Sequence, residues 1–199
     1  DAFQLPRAAE ACFSVRAIVD NLESRLANLT TTAVEGFLTS EFGPAFQRTV
    51  VWCEERTAAA GKSMDTELPL EERRLSPSDF GFHNAMRRND GGLVFLDFEY
   101  FGWDDPAKMI SDFLLHPASE IKENLKRRFA DNIFDRFKDI RDLARRVEVV
   151  YPLFGLKWCL IMLNEFLPEQ LLRRGFVGEP SEAEANAQAK QLEKARMML

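Results

Sequence analysis

Apolar residues recur at three- and four-residue steps through most of the chain, and that spacing predicts helices. Over 7–29, Ala8, Cys12, Val15, Ile18, Val19, Leu22, Leu26 and Leu29 share one face. Over 32–60, Val34, Phe37, Leu38, Phe42, Phe46, Val50 and Cys53 mark a second helix, with Pro44 expected to break or kink it. Residues 61–74 are polar and predict a loop. Helices resume at Asp105-Pro106, because Asp is a preferred N-cap and Pro suits the first helical position. Ile110, Phe113 and Leu114 give this helix its buried face. Ser119 is expected to cap the next, which carries Ile121, Leu125, Phe129, Ile133 and Phe137. Residues 140–167 predict a long, mostly apolar helix or helix pair kinked at Pro152, and 173–180 a loop. Ser181 and Glu184 have the spacing of a capping box for a last helix.

The period changes once. Leu93 to Phe98 is a short apolar, β-prone run behind the turn signal Asn89-Asp90-Gly91-Gly92, and 85–88 is its expected partner strand. The predicted fold is therefore α+β, mainly α, with one small antiparallel hairpin in a single domain over 1–199.

Composition narrows the function. The 32 acidic and 26 basic residues give a net charge of −6, which argues against nucleic acid as a partner. The longest apolar stretch, Val149 to Leu163, is interrupted by Pro152 and Lys157, so no membrane span is expected. Cys12, Cys53 and Cys159 lie far apart in apolar helical contexts and read as free thiols. With no visible signal peptide, they predict a cytoplasmic protein.

Candidate chemistry gathers around the hairpin. Asp79 and Asn84 bound the turn that enters it, and Asp97 stands at its far end. Two carboxylates and a carboxamide are oxygen donors that suit a hard cation such as Mg. A carboxylate beside such an ion can also accept a proton from a substrate hydroxyl. The alternative is that Asp79 and Asn84 are turn residues and Asp97 ends a strand. Asp79-Phe80-Gly81 matches the metal-binding D-F-G of protein kinases, but residues 55–75 hold no catalytic H-R-D upstream. Asp79 and Asn84 instead have the D-x-x-x-x-N spacing of a phosphoryl-transfer catalytic loop, which puts Asp97 in the D-F-G aspartate's position.

The segments Ser76 to Asn84 and Phe95 to Pro106 together resemble the aminoglycoside phosphotransferase and choline kinase family. That family shows H-G-D-x-x-x-x-N, a hairpin, then I-D-W-E-x-x-G-x-G-D-P. The resemblance implies a protein-kinase-like C-terminal lobe whose hairpin carries the catalytic loop. It implies an ATP- and Mg-dependent phosphotransferase, a small-molecule kinase acting on a hydroxyl acceptor. Asp79 would be the catalytic base, Asn84 and Asp97 the Mg ligands. Glu99, at the family's W-E position, would face the acceptor, and Trp158 on a late helix would help wall its pocket.

Two positions depart from the pattern. Pro77 stands where the family has His, and Met109 where it has an aspartate three after the Pro. Asp112, one turn on, is the expected substitute that braces the catalytic loop. The family's N-terminal ATP-binding lobe, with its glycine-rich turn and strand lysine, has no counterpart before Asp79, so this chain alone is expected to be inactive. Gly61-Lys62-Ser63 resembles the tail of a Walker A loop, but the first glycine of that loop falls on Arg56. His83 and His116 lack a second ligand at zinc spacing and read as structural or surface residues. The rival from another class is a non-catalytic module that binds a ligand or a protein through the same cleft.

Overall fold

The computed structural model describes residues 5–29, 31–119, 121–167 and 182–199. Six helices organise them: α1 (Val15–Asn28), α2 (Gly43–Ala59), α3 (Pro106–Leu115), α4 (Glu123–Arg136), α5 (Leu143–Met162) and α6 (Glu182–Met198). Four short strands join them: β1 (Arg74–Ser76), β2 (Ala85–Arg87), β3 (Leu93–Phe95) and β4 (Gly102–Asp104). The chain is thus α+β and mainly α, as its pattern predicts.

The core forms around α5, against which α1, α2, α3 and α6 pack. Val150, Leu153, Cys159 and Leu163 are fully buried there. Pro152 lies inside α5 without ending it, and a short 3-10 turn, Leu163–Phe166, extends the helix. This corrects the sequence expectation that no stretch is long enough to span a membrane. Leu143–Phe166 is 24 residues long, an 18-residue window within it has mean hydropathy 1.4, and it passes by length and composition. The packing explains its apolarity, since 67% of that window is buried inside the fold.

The first predicted helix begins later than its periodicity suggests. Ser14 is the N-cap, its hydroxyl accepting from Ala17 N at 3.1 Å. Residues before it run extended along β4: Ala8 N donates to Trp103 O and Trp103 N to Pro6 O, both at 2.9 Å. Ala8 is buried in this pairing and Phe13 lies beneath the guanidinium groups of Arg7 and Arg73, neither on a helix face. The second predicted helix is divided. Thr32–Val34 is 3-10, Glu35–Phe37 one α turn, and Leu38–Phe42 a π turn that delivers the chain to Pro44 near the start of α2. A wider turn just before a proline accommodates its missing N–H, so Pro44 opens α2 instead of breaking it.

The predicted loop 61–74 ends in β1, which pairs antiparallel with β4, Arg74 opposite Asp104. Three residues in each strand are too few to show a period. The predicted hairpin is present as β2 and β3, Ala85 opposite Phe95, with Gly91 at φ 86° in its turn. Ser119 does not cap α4: Lys122 precedes that helix without a side-chain cap bond. Ser119 instead closes a turn, its N–H donating to His116 O at 2.9 Å. Asp105 caps α3 as expected, accepting from Ala107 N at 2.8 Å. The 173–180 loop and Ser181 of the capping box lie outside the described residues.

Candidate active site

The turn between β1 and β2 is held from below. Ser78 is buried with φ 67°, and Ser78 N donates to Ser76 Oγ at 3.0 Å. Lys108 of α3, 1% exposed, reaches up to it: Nζ donates to Ser78 Oγ at 3.1 Å and Ser78 O at 3.4 Å. The same ammonium pairs with Asp104 and Asp112, each at 3.1 Å. Burial alone would lower the Lys108 pKa, but Asp112 and Asp104 outweigh it and raise it above the ordinary value, so Lys108 stays charged. Asp104 moves up, because burial outweighs the attraction of Lys108. Two acids share one cation in a dry site. Asp112 Oδ1 is buried without a hydrogen-bond partner.

Aromatic rings fix the turn laterally. Phe80 packs on Phe95 of β3 at 5.0 Å and on Phe113 of α3 at 5.4 Å between centroids, and Phe113 meets Phe129 of α4 at 4.1 Å. The turn is therefore a rigid shelf, and Asp79 projects from it half exposed. Asn84 Nδ2 donates to Asp79 O at 2.9 Å and to Oδ2 at 3.1 Å. Asp79 Oδ1 lies 2.9 Å from His83 Nε2. The His83 ring folds back tightly over Gly81, where a Cβ would sit 2.5 Å from ring atoms. Only glycine leaves that space.

Asp79, Ser78, Lys108 and Asp112 line a cleft of about 490 Å³, within the range of small-molecule sites. Trp158 and Asn164 form its far wall, and Trp158 Nε1 is buried without a partner. Glu10 closes one end, accepting from Arg25 at 2.7 Å and Lys157 at 3.2 Å. Burial pushes the Glu10 carboxyl up, but those two cations outweigh it and lower its pKa. Tyr100 stands at the mouth. Its phenol donates to Glu99, and that bond, with the charges of Glu99, Asp97 and Asp79, raises the Tyr100 pKa. Asp97 and Glu99 are exposed and do not line the cleft itself. Asp97 takes φ 60°, a left-handed conformation uncommon for a residue with a side chain.

The structure brings Asp79 and Asn84 into direct contact and puts Asp112 and Trp158 in the same cleft, while Asp97 and Glu99 are exposed outside its lining and are not brought into contact with Asp79 or Asn84. Sequence reasoning missed Lys108, although Asp104, Lys108 and Asp112 follow at four-residue steps, the spacing that stacks charges on one helix face. It also treated the two histidines separately. His83 stacks on His116 with centroids 4.0 Å apart and planes 10° from parallel. Burial and the neighbouring His83 lower the His116 pKa. Ligand atoms of Asp79, His83 and His116 lie within 4.8 Å of one another. Imidazole lone pairs lie in the ring plane, so parallel rings do not converge on one ion, and Ala118 N already donates to His116 Nδ1 at 3.2 Å.

No family model, curated protein or solved structure matches this chain.

Proposed function

We propose that this chain is the catalytic-loop and acceptor-binding lobe of an ATP- and Mg-dependent phosphotransferase acting on a hydroxyl of a small molecule. The observation that carries the reading is Asp79, half exposed on a braced turn, with Asn84 against it and a ligand-sized cleft in front of it. Asp79 would orient the acceptor hydroxyl and take its proton, a role for a carboxylate aimed into a cleft. Asn84 spends its amide N–H on Asp79, which leaves its carbonyl oxygen for another partner. That oxygen and the exposed Asp97 carboxylate fit the hard-oxygen chemistry of Mg, and would hold it. When bound, the ion neutralises charge on the phosphates being transferred. The remaining residues position: Lys108, tied down by Asp112 and Asp104, fixes Ser78 and so Asp79, while Trp158 and Glu99 border the acceptor. Phe82, Met86, Leu93 and Phe98 each leave about half their surface in solvent. Exposed apolar side chains on and around the hairpin suit the packing of a nucleotide-binding lobe.

A specific observation favours a second reading, a non-catalytic ligand-binding module. Both Asp79 oxygens already accept hydrogen bonds, one from His83, and Pro77 replaces the family's histidine. Paramagnetic Mn²⁺ in place of Mg, followed by amide NMR, separates the two. Selective broadening around Asn84 and Asp97 is expected. Broadening centred away from the hairpin, or spread over all surface acids, would refute the assigned ion ligands.

A further inference from the structure

A second pocket lies where α5 begins, and none of its lining residues belongs to the cleft. It is small, about 70 Å³, several times the space one water needs. Arg56, Lys62, Arg141, Arg145 and Arg146 line it against three acids, Glu67, Glu72 and Asp142. In a chain of net charge −6 this is a local excess of positive charge. Arg146 is already committed: it pairs with buried Asp105 at 2.5 Å and donates to Phe13 O at 3.0 Å. Arg56 pairs with Glu148, yet its Nε is buried without a partner. Lys62, Arg141 and Arg145 make no ion pair among the described residues, and neither do Glu72 and Asp142, while Glu67 is engaged by Arg73 at 3.0 Å, so cations outnumber acids by one among the unpaired groups.

Further donors face the same space. Ser63 and Thr66 hydroxyls sit 3.2 Å apart on the pocket wall, and only one of the two protons is used between them. Asp142, at φ 56°, precedes α5 without a side-chain cap bond, so the helix's first-turn amides add their dipole. Ala60, Leu68 and Pro69 give the opening an apolar side.

We propose that this pocket binds the phosphoryl group of a phosphate monoester, whose organic part lies on the apolar side. A phosphoryl group offers more oxygens to Lys62, Arg141 and Arg145 than a carboxylate does, and guanidinium forks suit phosphate oxygens. The site stands on residues outside the phosphotransferase cleft and does not depend on that assignment.

Calorimetric titration of phenyl phosphate and inorganic phosphate, at constant ionic strength against chloride, tests it. Phenyl phosphate is expected to bind more tightly than inorganic phosphate. Arg141 and Arg145 are exposed, so Arg141→Ala/Arg145→Ala should fold and lose roughly tenfold in affinity per residue, as expected for one charge-assisted hydrogen bond each. The pair Arg127→Ala/Arg128→Ala on α4 removes the same charge elsewhere and should bind as the unaltered chain does. Wild-type affinity in the pocket variant, equal loss in the α4 variant, or no binding by the unaltered chain would each overturn the proposal. Tighter binding of inorganic phosphate than of phenyl phosphate would overturn its monoester part.

Discussion

Lys108 carries the most consequence of any single residue, because four oxygens of three residues converge on one ammonium with almost no solvent. Lys108→Met would leave Asp104 and Asp112 buried without a cation and Ser78 without its anchor. Loss of one partner from a buried pair costs about 3–5 kcal/mol, and equilibrium denaturation should show a loss of that size. The pH dependence follows from the raised Lys108 pKa. A raised basic group stabilises the fold fully below its unfolded value and loses that contribution as pH rises through the folded value. Stability should therefore drop above pH 10.5, the ordinary lysine value, and this alkaline loss should be shallower in Lys108→Met. The nearness of Asp79 and Asn84 was legible because both bound one short turn. Lys108 was not, because it reads as an ordinary surface lysine until β1 and the turn fold down onto α3.

At the scale of elements, the least legible feature is the pairing that seats the N-terminal segment. Gly102 is where it is decided: a Cβ there would lie 2.5 Å from Ala8 N and Pro6 O, both backbone atoms that cannot swing aside. Gly102→Ala should destabilise by about 1–3 kcal/mol, the usual cost of forced overpacking. Hydrogen exchange should speed up at Ala8 N and Trp103 N, which bond across this junction. Unaltered exchange at both amides would contradict the account. Because Glu10 follows on the same segment, this contact also sets one end of the cleft. The α3 start was plain from Asp105-Pro106, whose capping and φ preference are local properties. The β1–β4 pairing depends on residues far apart in sequence, and so did the late start of α1, since Ala8 and Cys12 continue its apolar spacing while belonging to another neighbour.

For the whole molecule, helix periodicity was enough to place α2, α3, α4 and α5, and capping-box spacing to place α6, because most of their apolar faces do turn toward one core around α5. The cleft was beyond reach, as it is assembled from a turn, Tyr100 ahead of β4, three helices and the segment before α1. Its chemistry joins residues that no spacing relates: Glu10 to Lys157, Asp79 to Trp158. The proposed phosphotransferase depends most on Asp79 as the group that takes the acceptor's proton. In protein carrying this chain together with a nucleotide-binding lobe, transfer of the ATP γ-phosphate to a hydroxyl acceptor should fall about 10²–10⁴-fold in Asp79→Asn, the range for loss of a general base, with thermal stability nearly unchanged because Asp79 is half exposed. Turnover equal to that of the unaltered protein would contradict the account.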